Sequence, residues 1–159
     1  MAIDELKLRL DKFSFDHISL GYSEINLVRS DNFNKNQLGY RTNGTASLIG
    51  MNGEWQAEWW VIAWDDLGDP IFVDINTDRV YTAMHGEGSW EPTCIADSLD
   101  SYERIVNELH NISVGRENPV RMENNPIYIQ TKEMFTDLVT KNNVNSEPWY
   151  WKLIIGDEV

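Results

Sequence analysis

WWVIAWDDLGDPIFVDINTDRVY, residues 59–81, places two runs dense in β-branched and aromatic residues around a short polar break. Residues 60–64 and 70–75 read as strands, with Asp65-Asp66-Leu67-Gly68-Asp69 as the turn between them. Gly68 supplies the positive φ that a tight turn needs, and an Asp side chain can accept from backbone N–H groups two residues on. In the second run Ile71, Val73 and Ile75 alternate with Phe72 and Asp74, which puts Asp74 on a polar face. Asn76-Thr77-Asp78 turns the chain into a third strand over 79–84. After a loop carrying Gly86 and Gly88, residues 92–96 read as a fourth. Connections this short leave no room for a crossover, so the strands are expected as antiparallel neighbours in a meander.

Working outward, Ile3, Leu6, Leu10 and Phe13 recur at helical spacing, with Asp4 and Glu5 in the first turn. Residues 25–28 read as a short strand and 30–46 as irregular. The period switches at Asp97: Leu99, Tyr102, Ile105, Val106, Leu109 and Ile112 trace one helical stripe. Ser98 or Asp100 can cap that helix, Asp100 with Glu103 having capping-box spacing, and Gly115 suits its stop. Residues 117–126 read as loop. A helix follows over 131–141, with Met134, Phe135, Leu138 and Val139 inward. After Ser146 the chain suits a last helix, with Pro148 in its first turn and Gly156 at its stop, while its β-rich composition would also suit a strand; the helix is favoured. The fold class is α+β, an antiparallel meander sheet flanked by helices. No repeat or boundary divides residues 1–159, so one domain is expected.

Charge narrows the partners. The formal net charge is −13, and residues 61–110 hold eleven acids against two bases. Such a field repels nucleic acid and anionic membrane and attracts basic partners. The single Cys94 fits a reducing compartment, and the amino-terminal stretch has no secretory pattern, so a cytoplasmic protein is expected. No stretch is long and apolar enough to span a membrane. Nothing in the sequence fixes an oligomeric state.

The acidic stretch invites a chemical reading. An EF-hand loop starting at Asp74 has Asn76 and Asp78 in place but Arg79 where glycine belongs and His85 where glutamate belongs. His17, His85 and His110 fall on different elements with no metal-ligand spacing, so no metal and no cofactor are expected. His85, in a glycine-bearing loop, reads as a solvated histidine, and His110 as a favourable charge at a helix end. Cys94, in a strand, reads as a small buried hydrophobe. No nucleophile or phosphate-binding motif is present, so no catalytic residue is assigned. The enzymatic alternative is a small hydrolase using Asp65, Asp69 and His85. It requires a pocket with converging polar groups and perturbed pKa values, where an inhibitor needs a surface patch.

Tryptophan is the remaining signal. Trp60 and Trp64, in phase with Ile62, suit one face of their strand, and Trp59, Val61 and Ala63 suit the other, so both faces are expected to be covered. Trp55 and Trp90 fall in loops, where a rigid aromatic can anchor a partner or fold back on the core.

Residues 55–110 resemble the SUKH superfamily, which includes the Smi/Knr-type cell-wall assembly regulators. The resemblance is carried by Ile62-Ala63-Trp64-Asp65, Gly68-Asp69, Asp74 and Ala96-Asp97-Ser98-Leu99, in that order. The amino-terminal part departs from it, lacking the family's Pro-x-x-(Tyr/Phe) stretch and Gly-Gly loop. The resemblance implies an α+β fold and a non-catalytic role. In bacteria that is an immunity protein neutralising a secreted toxin, often a basic nuclease; in fungi it is a scaffold for cell-wall signalling. The partner surface is then expected from Asp65, Asp66, Asp69, Glu87 and Glu91 around Trp90.

Overall fold

The break at 65–69 does separate two strands, and they belong to a six-stranded antiparallel sheet whose order in space is the order in the chain. The computed structural model describes residues 1–21, 23–45, 47–49, 55–114 and 126–156, with only the backbone described at 126–131. In chain order the elements are α1 (Ile3–Leu10), β1 (His17–Ser19), β2 (Glu24–Leu27), β3 (Trp59–Asp65), β4 (Pro70–Asp74), β5 (Val80–Thr82), β6 (Thr93–Ala96), α2 (Leu99–Ser113), α3 (Pro126–Asn142) and α4 (Trp149–Ile154). The architecture is α+β, an antiparallel sheet with helices beside it. No helix among the described residues is long and apolar enough to cross a membrane.

Strand β1 extends the meander beyond the sequence reading. Its three residues are too few to show a period, and only Ile18 is buried in the core. Its pairing with β2, Ile18 opposite Ile25, is what defines it.

The sheet is covered on both faces. Val61, Phe72 and Tyr81 lie opposite one another on β3, β4 and β5, so they share a face. There Phe72 stacks on Tyr81 and meets Trp59 at a tilt, and Trp55 caps it with ring centroids 4.7 Å apart. On the other face Val73, Val80 and Ala96 are aligned and fully buried. Helix α2 buries Leu99, Tyr102, Ile105, Val106 and Leu109 and touches both edge strands, β1 and β6. Each such large apolar side chain contributes about 1.5–3 kcal/mol when fully buried. With Pro70 through Val73 all buried, β4 has no polar face. Asp74 therefore does not sit on one. It ends the strand and closes the next turn, its Oδ1 accepting from the backbone N–H groups of Asn76 and Thr77.

A register shift between Val61 and Ala63 breaks the alternation of β3, and Val61, Ile62 and Ala63 are all buried. The buried Gln37 satisfies the backbone there: its amide donates to the Val61 carbonyl and accepts from the Val61 N–H at 3.0 and 2.9 Å. Trp64 emerges partly exposed, its indole donating to Asn36.

Helix α2 is capped by Ser98, whose Oγ accepts from Ser101 N–H at 3.1 Å. Asp100 and Glu103 do not form the box their spacing allows. Both are paired with Arg9, which ties α1 to α2. His110, near the end of α2, stacks face to face on Phe15 at 3.8 Å. The helix ends at Ser113; Gly115 and residues 117–125 lie outside the described residues. Helix α3 begins at Pro126, earlier than position 131, because proline suits a first helical turn as well as a loop. Phe135 and Val139 are buried on it, but Met134 points outward. Helix α4 begins after Pro148 and ends at Gly156, whose φ is +72°. The Trp151 indole donates to the Ile95 carbonyl at 2.7 Å, and Glu147 N–H to the Cys94 carbonyl, so this segment covers the β6 edge. Cys94 itself is half-buried, and burial raises its thiol pKa.

Candidate functional site

In a meander every second connection returns to the same end of the sheet. The β1–β2, β3–β4 and β5–β6 connections therefore lie together, and they carry the acids of residues 65–69 and 87–91. Helix α4 packs against this end, and between it and the connections lies a cleft of about 810 Å³. The volume falls in the range of about 300–1,000 Å³ typical of ligand pockets. Asp65, Asp66 and Asp69 line it from the β3–β4 turn and Glu87 and Glu91 from the β5–β6 loop, with no Lys or Arg among the described lining residues. Lys132 reaches the lining at the Gly156 carbonyl. The apolar part of the wall comes from Leu67, Met84, Trp149 and Leu153.

Asp65 organises the turn. It is buried, and its Oδ1 accepts from the Leu67 and Asp69 N–H groups, each at 3.0 Å. Asp65 N–H donates to the Asp69 carbonyl, and Gly68 N–H to the Asp65 carbonyl. Gly68 has φ +82°, as a turn of this kind requires. From outside, the Tyr40 hydroxyl donates to the Gly68 carbonyl at 2.9 Å. The Tyr150 hydroxyl donates to Asp65 Oδ2 at 3.2 Å, joining α4 to the turn. Burial raises the Asp65 pKa above the usual carboxylate range, and the backbone donors oppose that rise only in part. Burial and the neighbouring Asp65 together push Tyr150 well above an ordinary phenol.

Asp69 is engaged differently. Its Oδ1 accepts from the His85 backbone N–H at 2.9 Å and meets His85 Nδ1 at 2.6 Å. His85, expected to be simply solvated, is instead exposed on one side and held by Asp69 on the other. Among the described residues it has no Ser, Thr or Cys partner, so the pair aligns no nucleophile. Nor do three or more His, Cys, Asp or Glu side chains of the described residues come together as metal ligands.

The structure thus brings Asp65, Asp66, Asp69, Glu87 and Glu91, the acids that the sequence reading assigns to a partner surface, around one cleft. Trp90 stands apart. It is half-buried, packed on Tyr40 and Trp55 with ring centroids 5.6 and 5.4 Å away, and does not line the cleft. The aromatic groups at the cleft are Trp149 and Tyr150 of α4, which sequence reasoning left unassigned. Their helix was legible, but nothing local indicates that it folds back onto a turn more than eighty residues earlier. No family model, curated protein or solved structure matches this chain.

Proposed function

We propose that this chain is a non-catalytic, SUKH-like protein-binding module acting in the cytoplasm, and that it serves as an immunity protein neutralising a basic toxin domain. One observation carries this reading: exposed apolar side chains stand beside two acids, Glu87 and Glu91, that have no basic partner among the described residues. Leu67, Met84 and Leu153 are solvent-exposed at the cleft, and among the described residues Glu87 and Glu91 have no hydrogen-bond or ion-pair partner. Exposed apolar side chains gathered in one cleft beside unpaired acids suit an interaction surface. The acids would steer a basic partner in, and the apolar centre would hold it. That the patch is concave does not oppose the reading, since the strongest contacts of an interface fill pockets.

The test is affinity capture from the native host with this chain as bait, followed by activity measurements on whatever binds. The reading expects a basic protein whose nuclease or other toxic activity is titrated to zero at a fixed stoichiometry. A captured cell-wall assembly factor with no such activity would favour the alternative role, an intracellular regulator or scaffold, on the same surface.

The Asp69–His85 pair at 2.6 Å favours a second reading, a small hydrolase using Asp65, Asp69 and His85. Against it, both Asp65 oxygens are already committed to the turn and to Tyr150. Hydrolysis of chromogenic ester and glycoside panels that is lost in His85→Ala would support the hydrolase.

A further inference from the structure

We infer that the cleft itself recognises an extended, lysine- or arginine-bearing segment of the partner, with the cationic heads on Glu87, Glu91 and Asp66 and the aliphatic stems on α4. This rests on the protein-binding reading and names the chemistry of its ligand. The lining combines two properties that few side chains satisfy together. Five carboxylates line a space to which the described residues contribute no Lys or Arg side chain, Lys132 reaching only its Gly156 edge. Beside them Leu67, Met84 and Leu153 are 67%, 61% and 53% exposed, apolar side chains left in water along the same cleft. Lys and Arg alone carry a long aliphatic stem ending in a positive charge, and they routinely lay that stem on apolar surface while the head stays polar.

The acids are not equally free, which orders their roles. Asp65 is buried and held by two backbone donors and Tyr150, so it shapes the floor. Asp69 is occupied by His85. Asp66 makes one long contact, 3.4 Å, with Glu24 N–H. Glu87 and Glu91 are exposed and unpaired among the described residues. The groups available to a cation are therefore Asp66, Glu87 and Glu91, and the exposed Leu67, Met84 and Leu153 line the same cleft. The volume of about 810 Å³ exceeds what one side chain fills, so a short stretch of chain enters.

The experiment is a titration of the isotope-labelled full chain with acetyl-Lys-Leu-Arg-Leu-Lys-amide, followed by amide chemical shifts. A control peptide carries Glu at the three basic positions. The inference expects saturable shifts confined to residues 65–69, 84–91 and 149–156 with the basic peptide only. Glu87→Lys combined with Glu91→Lys should weaken binding at least tenfold, and Leu153→Ser at least threefold. Glu133→Lys with Asp137→Lys, the same charge change on exposed α3 positions, should leave affinity within twofold. Absent binding, shifts elsewhere, or equal losses from both double variants would overturn it. The protein-binding reading fails separately. A captured host partner bound equally by the wild type and the Glu87/Glu91 variant leaves that reading standing and removes the cleft. Peptide binding in the cleft with no protein captured does the reverse.

Discussion

The Tyr150 hydroxyl donates to Asp65 Oδ2 at 3.2 Å across 85 positions of sequence, and both groups are buried. This bond is where the carboxy-terminal helix and the central turn become one wall of the cleft. Asp65 is thereby a structural residue at the cleft: its carboxylate fixes the positions of Leu67 and Asp69 while its neighbours Asp66 and Leu67 are exposed.

Removing the hydroxyl leaves a buried carboxylate oxygen without its only side-chain donor among the described residues. Tyr150→Phe should therefore destabilise by about 1–3 kcal/mol at neutral pH, the range for stranding a buried polar or charged partner. Urea denaturation at pH 7 measures it. A loss under about 0.5 kcal/mol would mean that the bond contributes nothing net.

The pH dependence has a definite sign. Burial raises the Asp65 pKa in the fold, so ionising it costs more there than in the unfolded chain. Its contribution to stability is fully present below the ordinary carboxylate pKa and is lost as pH rises through the raised value. Asp65→Asn abolishes this titration while keeping an oxygen for the Leu67 and Asp69 N–H groups. The stability of the wild type relative to the Asn variant should fall steadily from about pH 4 upward and then level off. Denaturation curves of both proteins from pH 3 to 7 check this; a difference that grows with pH would reverse the assignment.

At Gly68 the backbone alone decides. An added Cβ would meet nothing within 4 Å, so no clash contributes, but φ is +82°. Gly68→Ala should cost about 1 kcal/mol or more, and Gly68→Asn less, because Asn tolerates the left-handed region. Equal melting temperatures for the two variants would contradict this.

How much of this was legible depended on the range of the interactions. The strands at 59–65 and 70–74 and the turn between them follow from local composition, and so do the stripe of α2 and the glycine that ends α4. The convergence of residues 65–69 with 87–91 was anticipated only as a shared negative field, although the alternation of connections in a meander places them at one end. Asp74 was misplaced because alternation implies a polar face, whereas aromatics cover one face of β4 and the helical layer the other. Tyr150 at Asp65, Arg9 between Asp100 and Glu103, and Gln37 at the Val61 backbone are contacts between distant segments, and no local pattern encodes them.

The last prediction separates encounter from residence. Trp90 reads from sequence as a loop anchor for a partner, but its ring is packed on Tyr40 and Trp55. Trp90→Ala should then act on folding, with a loss of about 2 kcal/mol or more from the vacated aromatic cluster. In the protein that remains folded, the dissociation rate of a captured partner should be unchanged. Leu153→Ala and Trp149→Ala, which remove apolar wall from the cleft, should speed dissociation, since most interface effects fall on the off-rate. Converting Asp66, Glu87 and Glu91 together to Lys should instead slow association and flatten its dependence on salt, because rim charges act through the long-range field. Surface plasmon resonance at 50 and 500 mM NaCl, restricted to variants with native circular dichroism, measures both rates. An off-rate that rises in Trp90→Ala but not in Leu153→Ala would return the anchor to the loop and take it out of the cleft.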